Sequence, residues 1–186
     1  MALTESTMLS LGTTAPDFEL PGTGGKTYTL NSFSGAKALL IVFTCNHCPY
    51  ALAFEDRFIR IANEFSSQGL ATLFICSNDE ENYPDDSFEK MKGHAIEKSF
   101  PFPYCQDASQ EVARSYAAAC TPDPYLFDCD KKLVYRGRVD DNWEHPEKAA
   151  HHDLRNAVQA VLEGQPVSEN QYASLGCNIK WLDEKS

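Results

Sequence analysis

Two cysteines separated by two residues, Cys45 and Cys48, are the side chains of this sequence best suited to chemistry. They follow an apolar run over residues 38–43 and precede a helical pattern that begins at Pro49. A helix N-terminus stabilises a thiolate through its unpaired N–H groups and its dipole, and the thiolate is the species that attacks a disulfide. A second cysteine one turn further on can then resolve the mixed disulfide. The spacing therefore predicts a dithiol/disulfide pair in which Cys45 is the nucleophile and Cys48 the resolving thiol.

His47 lies between the two cysteines, and its imidazole can hydrogen-bond or charge-stabilise the Cys45 thiolate. If it is instead an exposed loop histidine, its influence is negligible, because exposed charges interact weakly. A thiolate-stabilising histidine favours the reduced form and makes a dithiol more oxidising. We therefore expect the pair's potential to lie above the value of about −270 mV that is typical of thioredoxin.

A zinc half-site is the competing interpretation of this motif. Structural zinc usually takes four ligands, often from a second pair of cysteines, and the other five cysteines form no such pair. An odd total of seven also argues against a framework of structural disulfides. The position of the pair between a strand and a helix favours redox use over zinc binding.

The pattern of apolar residues predicts the elements that must position this pair. Apolar runs of this length indicate strands that are buried on both faces, and strand, helix, strand is the pattern of a parallel βαβ unit. A hairpin precedes the unit, and a helical insert, a second hairpin and a last helix follow it. The predicted elements are strands at 16–20 and 27–30, a strand at 38–43, a helix from 49 to about 69, a strand at 70–76, helices near 88–95 and 107–119, strands at 124–127 and 133–136, and a helix at about 149–162. The fold class expected is α/β, a central mixed sheet flanked by helices.

The size and charge of the chain narrow its possible partners. The 186 residues fit a single domain over 1–186, with a loosely held N-terminus (1–14) and a C-terminal tail (165–186). A formal net charge of −11 disfavours nucleic acid and anionic membranes as partners. The first ten residues lack the basic and apolar runs of a secretory signal, and no segment has the length of a membrane span. A cytoplasmic location is therefore expected.

Several phrases of the sequence together resemble the thioredoxin-like superfamily, in particular its peroxiredoxin-like (AhpC/TSA-related) and TlpA/ResA-like branch. The resemblance covers about residues 11–162 and is carried by the Ala15-Pro16-Asp17-Phe18 opening, the Phe43-Thr44-Cys45-Asn46-His47-Cys48-Pro49-Tyr50 stretch, and Cys120-Thr121-Pro122-Asp123-Pro124-Tyr125. The phrases at 135–142 and 176–181 are similar to those of a narrower peroxiredoxin-like subgroup. The resemblance implies a thioredoxin-like fold with an N-terminal β-hairpin and a helical insertion. It also implies that Pro122 is the cis-proline opposite the active site, and that the backbone of Thr121 pairs with a substrate strand.

The sequence departs from the patterns of this superfamily at several positions. Peroxiredoxins carry a proline seven residues, and a threonine three residues, before the peroxidatic cysteine. Ala38 and Val42 hold these positions before Cys45, and Ile41 and Cys45 hold them before Cys48. The sequence therefore argues against peroxidase activity. Thioredoxin's buried aspartate, six residues before its first cysteine, is Leu39 here, so proton transfer must use water, His47 or another group.

Two further cysteines are candidates for auxiliary thiols. Cys120 lies two residues before Pro122 and is either a third thiol near the site or a packed apolar side chain. Cys177, in the tail, can fold back as a resolving or docking thiol, although free cysteines are usually only packed.

Together these observations predict a thiol–disulfide oxidoreductase that acts on protein or small-molecule thiols and disulfides, with an unidentified electron donor and no organic cofactor or resident metal. The alternatives are a peroxide reductase, a module that binds a soft metal through its thiolates and histidine, and a redox-sensing protein without turnover.

Overall fold

A computed structural model of the chain describes residues 3–182. The strands of this part are β1 (Leu3–Glu5), β2 (Glu19–Pro21), β3 (Thr27–Thr29), β4 (Ala38–Phe43), β5 (Leu70–Cys76), β6 (Tyr104–Gln106), β7 (Cys120–Thr121), β8 (Asp123–Phe127), β9 (Leu133–Arg136) and β10 (Leu175–Asn178). The α-helices are α1 (Pro49–Phe65), α2 (Phe88–Glu97), α3 (Glu111–Ser115) and α4 (Asp153–Leu162). No helix within residues 3–182 is long and apolar enough to cross a membrane.

The central sheet has five strands in the order β6-β5-β4-β8-β9. Strands β4, β5 and β6 run parallel, and β8 and β9 complete the sheet in antiparallel register. The parallel βαβ unit and the second hairpin are therefore confirmed, as is the N-terminal hairpin of β2 and β3. The expected fold class, a mixed sheet flanked by helices, is confirmed with them.

Strand β4 lies at the centre of the sheet and divides the interior into two cores. Its six side chains are all buried and alternate between the two faces of the sheet. Ala38, Leu40 and Val42 pack in the core beneath α1 and α4, whereas the other three side chains pack in the core beneath α3 and the N-terminal hairpin. A strand covered on both faces needs a continuous apolar sequence, which explains the run at 38–43.

Helix α1 packs the apolar stripe predicted from the sequence against the first core. Its buried members recur at three- and four-residue steps and are Ala51, Phe54, Phe58, Ile61 and Phe65. A short 3₁₀ turn follows, and the chain reverses at Gly69, whose φ of +113° is in the left-handed region that favours glycine. The helix therefore starts beside the cysteine motif and returns the chain to β5.

The helix expected over residues 107–119 is much shorter in the structure, since only α3 forms there. Asp107 accepts hydrogen bonds from the N–H groups of Val112 and Ala113, so it does cap the turn. Gln110 has a left-handed backbone, which ends the helical pattern on its N-terminal side, and its side-chain amide donates to the carbonyls of Ser77 and Lys180.

Strands from near both ends of the described chain, β1 and β10, form a second sheet together with β7, in the order β1-β10-β7. The expectation of a loose N-terminus is wrong for residues 3–5, because they pair with β10. The tail predicted without regular structure contains β10, which pairs antiparallel with β7. Strands of two to four residues carry too little periodicity to be recognised from sequence.

Candidate active site

The Cys45–Cys48 motif lies between the carboxyl end of β4 and the first turn of α1. The N–H of Thr44 donates to the Ile75 carbonyl (2.8 Å), which extends the β4–β5 pairing to the edge of the motif. Cys48 is the N-cap of α1, and Pro49 occupies the first helical position, where a missing N–H costs nothing. Both cysteine side chains are buried, with 2% of Cys45 and none of Cys48 exposed.

Thr121 contacts both cysteines from the opposite side of the site. Its Oγ1 lies 3.4 Å from Cys45 Sγ, and its carbonyl oxygen lies 3.2 Å from Cys48 Sγ. The Thr121–Pro122 peptide bond is cis, as predicted. The backbone of Thr121 is already paired with Cys177 of β10, so the chain's own tail occupies the position expected for a substrate strand.

The two thiols ionise as a pair. Their mutual interaction lowers the pKa of Cys48 and raises that of Cys45, and burial and the charge of Asp86 raise the pKa of Cys45 further. A proton on Cys48 also has an acceptor, the Thr121 carbonyl. The pair therefore loses its first proton more readily than a free thiol and holds its second more tightly, whichever sulfur carries it.

His47 lies beside Asp86 at the rim of the site. Its Nδ1 is 2.7 Å from Asp86 Oδ2, an ion-pair distance, although the ring N–H is not aligned for a hydrogen bond. The ring stacks on Tyr83, with centroids 5.7 Å apart and planes 9° from parallel. Cys45 Sγ, a His47 ring nitrogen and an Asp86 oxygen all lie within 4.8 Å of one another. His47 thus stands next to Cys45, as expected, but together with a carboxylate that the sequence did not indicate.

Asp86 is a fully buried carboxylate fixed from two sides. It accepts hydrogen bonds from the Asn46 backbone N–H and the Asn78 side-chain amide, both at 2.7 Å. The Asn46 side chain also donates to the Asp85 carbonyl, which holds the motif against this loop. Asp86 is 40 residues further along the chain than Asn46, in a polar stretch without a motif, and only the fold brings the two together.

The remaining cysteines have different environments. Cys177 is opposite Thr121 in the strand register, next to the carbonyl that Cys48 Sγ contacts, and its side chain lowers the pKa of Cys48. Cys120 is fully buried next to the Pro122 and Ser174 carbonyls, and burial raises its pKa. Cys76 on β5 and Cys105 on β6 are buried in the two cores on opposite faces of the central sheet, and Cys129 is exposed. Of the two auxiliary thiols suggested by the sequence, Cys177 is therefore the one whose sulfur contacts the pair.

The sequence profile of the Redoxin family matches residues 10–154, which include the cysteine motif and the cis-proline. The chain belongs to the Redoxin family. The structure places this family member in the thioredoxin-like, peroxiredoxin-like superfamily, which confirms the resemblance found in the sequence.

Two solved structures resemble this Redoxin-family protein over nearly its whole length. An uncharacterized conserved protein from Geobacillus kaustophilus is 44% identical, with a TM-score of 0.95 and coverage of 99% of this chain and 98% of the other. A hypothetical protein from Sinorhizobium meliloti 1021 is 41% identical, with a TM-score of 0.92 and coverage of 97% and 99%.

A more distant structure shows the fold alone. The thioredoxin domain of a thiol-disulfide oxidoreductase from Bacteroides vulgatus is 22% identical, with a TM-score of 0.58 and coverage of 69% of this chain and 88% of the other. No curated protein matches the chain. Family and fold together identify a thioredoxin-like redox protein.

Proposed function

We propose that this protein is a thiol–disulfide oxidoreductase whose redox centre is the Cys45–Cys48 pair. The observation that carries the proposal is the position of the two sulfurs at the N-terminus of α1, where both contact Thr121, one through its Oγ1 and the other through its carbonyl oxygen. Two thiols in contact close into a disulfide with little movement, and their shared proton keeps one of them ionised. The Redoxin family supports the same class of chemistry.

The reaction takes place in two exchanges. Cys45 passes its proton to the Cys48 thiolate and attacks a substrate disulfide, which forms a mixed disulfide and expels the first substrate thiolate. The expelled thiolate takes up the proton from Cys48. Cys48, as thiolate, then attacks Cys45 Sγ, which forms the Cys45–Cys48 disulfide and releases the second substrate thiolate. Two electrons pass from the protein to the substrate, and the reverse sequence oxidises a dithiol. Cys45 is the entry point because it retains some exposure and borders His47, whereas Cys48 is enclosed by Thr121 and Cys177.

A redox titration in dithiothreitol buffers, with acid quenching, alkylation and peptide mapping of every cysteine, tests the proposal. We expect Cys45 and Cys48 to oxidise together as one two-electron couple, above about −270 mV if the thiolate is stabilised. Cys45→Ser and Cys48→Ser each abolish the couple, and the matched control Cys105→Ser, at a buried cysteine outside the site, keeps it. A wild-type pair that remains reduced throughout the titration overturns the proposal.

Metal binding is a second candidate, favoured by the cluster of Cys45, His47 and Asp86 donor atoms within 4.8 Å. Thiolate, imidazole and carboxylate are all zinc ligands, and three of them with one open position make a common zinc site. The cluster differs from the set expected from the sequence, because it uses Asp86 and not Cys48.

Metal analysis of the purified protein, followed by titration of the metal-free protein with Zn²⁺, tests this candidate. Stoichiometric zinc that is lost in His47→Ala but kept in Cys48→Ser supports it. No stoichiometric metal, or zinc that depends on Cys48 and not on His47, contradicts it.

A further inference from the structure

The C-terminal strand β10 occupies the edge of β7 that adjoins the redox pair. Cys177 is opposite Thr121 and Asn178 is opposite Cys120. The approach is close at Gly176, where a Cβ would lie 2.1 Å from the Thr121 carbonyl oxygen. The edge of β7 beside the redox pair is therefore covered by β10, and β10 carries a thiol of its own, Cys177.

Three sulfurs form a continuous series within this arrangement. Cys45 Sγ and Cys48 Sγ both contact Thr121, and Cys177 is opposite Thr121 in the strand register. The interactions with the Cys45 and Cys177 side chains both lower the pKa of Cys48. The Thr121 side chain, which contacts Cys45, also donates to the Cys177 carbonyl at 3.5 Å. Cys177 is only 4% exposed, so the Cys48 sulfur lies between two thiols that are shielded from solvent.

The segment that follows β10 is tied to the loop on the other side of the site. The Lys180 N–H donates to the Asn78 side chain (2.8 Å), and the same Asn78 holds Asp86. The N–H of Asp79 donates to the Lys180 carbonyl (2.9 Å). These bonds hold Cys177 in place from both sides, because Ser174 at the other end of β10 donates its hydroxyl to the Pro122 carbonyl (2.7 Å).

We propose that Cys177 is a third redox thiol, which exchanges with the Cys45–Cys48 disulfide to form a Cys48–Cys177 disulfide. The inference rests on the proposed function and extends it from a pair to a relay. The Cys177 thiolate attacks Cys48 Sγ, the Cys48–Cys177 bond forms, and the Cys45–Cys48 bond breaks with Cys45 as the leaving thiolate. Cys45 takes up the proton that Cys177 has lost. The chain gains and loses no electrons in this step, so it needs no further oxidant.

Oxidation of the pair activates the attacking thiol. The pKa of Cys177 is raised to about 12, mainly by burial and in addition by the interaction with Cys48 and by the negative charge of the Cys48 thiolate. A Cys48 sulfur bound in a disulfide has no charge, so its share of this effect disappears once the pair is oxidised. Lys180 lowers the pKa of Cys177, and the charge of Lys180 does not depend on the oxidation of the pair. The exchange is an equilibrium within the oxidised protein, so the Cys45–Cys48 disulfide remains one of its two forms, while in the other form Cys45 is a thiol again.

The test traps the inner disulfide in the full-length Cys45→Ser protein, oxidised with glutathione disulfide, acid-quenched, alkylated and mapped by peptide mass spectrometry. Cys48 is enclosed, so the incubation is continued until Cys48 of the Cys45→Ser/Cys177→Ser protein carries glutathione. Under the same conditions we expect Cys177 of the Cys45→Ser protein to displace glutathione from Cys48, so that the Cys48–Cys177 peptide becomes the main oxidised product. The link disappears in Cys45→Ser/Cys177→Ser, where Cys48 keeps its glutathione. It persists in the matched control Cys45→Ser/Cys120→Ser, which removes a neighbouring buried cysteine instead.

A Cys45→Ser protein whose Cys48 stays bound to glutathione, or is alkylated together with Cys177, overturns the relay. That failure is distinct from failure of the proposed function, because wild-type protein and Cys177→Ser still form the Cys45–Cys48 disulfide in the same buffers. The proposed function fails by itself if Cys45→Ser forms the inner link while the wild-type pair never closes.

Discussion

Asp86 places a carboxylate next to Cys45 in a part of the site that is closed to solvent. A negative charge there opposes ionisation of the thiol, and it is one of the causes that raise the pKa of Cys45. His47 faces the same carboxylate, so any protonated state of the imidazole offsets this charge. The electrostatic potential at the Cys45 sulfur is therefore set by His47 and Asp86 together.

Asp86→Asn removes the charge and nearly preserves the shape of the side chain. We expect the pKa of Cys45 to fall, so that its alkylation by iodoacetamide begins at lower pH, and the potential of the pair to rise because the reduced form is stabilised. Asp85→Asn, at the exposed neighbouring residue, is the control and leaves both quantities unchanged. A pH profile that is the same in Asp86→Asn and wild type contradicts this electrostatic role.

Asp123, on β8, is a second fully buried carboxyl group. Burial raises its pKa to about 7, even though the Ala119 N–H and the Tyr125 hydroxyl bond its Oδ2 and favour the charged form. The folded state therefore holds this proton more tightly than the unfolded state, and the group costs stability as pH rises from about 4 to 7. Over this pH range, titration of Asp123 lowers the free energy of unfolding by at most about 4 kcal/mol.

Asp123→Asn should remove that pH dependence. In urea unfolding, the free energy of unfolding of wild type relative to the variant falls between pH 4 and 8 and changes little above that range. Asp130→Asn, at an exposed aspartate on the adjoining turn, serves as the control and follows wild type. A difference between wild type and Asp123→Asn that is constant with pH shows that Asp123 is charged throughout.

At the scale of elements, β10 depends on a glycine. A Cβ at Gly176 would lie within 2.1 Å of one backbone atom and 2.6 Å of another, both in Thr121, and backbone cannot move aside as a side chain can. Any larger residue there must push β10 away from β7.

Gly176→Ala should displace β10 at a cost of about 1–3 kcal/mol, the usual range for overpacking. Hydrogen exchange at the amides of residues 175–178 becomes faster, and in a Cys45→Ser background the Cys48–Cys177 link decreases. Gly35→Ala is the control, because a Cβ at Gly35 meets open space. If the amides of β10 exchange as slowly in Gly176→Ala as in wild type, this prediction is wrong.

The elements also show what the sequence can predict. The run at 38–43 and the stripe of α1 gave the central sheet and its main helix, because a buried strand and an amphipathic helix have strong periods. The cysteine pair was evident from spacing, and the cis-proline from resemblance. β10 and Asp86 were missed, because their roles come from contacts with residues far away in the chain. Likewise, no local pattern shows that the thiol of Cys177 contacts Cys48.

At the scale of the whole molecule, the charge is strongly negative, at −11. The groove beside His47 shares this sign, with Asp85, Glu89 and Glu97 against a single lysine, Lys90. Fields of this kind raise the rate of encounter with cations and lower it for anions, and salt screens them.

We therefore expect a cationic disulfide such as cystamine to oxidise the pair faster than anionic glutathione disulfide at low ionic strength. Each rate is divided by the rate of the same disulfide with an uncharged thiol, which corrects for intrinsic reactivity. The ratio of the corrected rate with cystamine to that with glutathione disulfide decreases as salt is added. It is also smaller in Asp85→Asn/Glu89→Gln than in wild type. Corrected rates that are equal, or that do not change with salt, show that the field does not reach the site.

The sheet of β1, β10 and β7 joins segments from near both ends of the described chain, and contacts of such sequence separation form late in folding. Residues 175–178 are synthesised after every strand of the central sheet and after the Cys45–Cys48 loop. Until then the edge of β7 is open, and the pair meets its surroundings without Cys177. A chain whose β10 has not yet paired with β7 therefore lacks the inner thiol of the proposed relay, and its two active-site cysteines can exchange only with each other and with substrate.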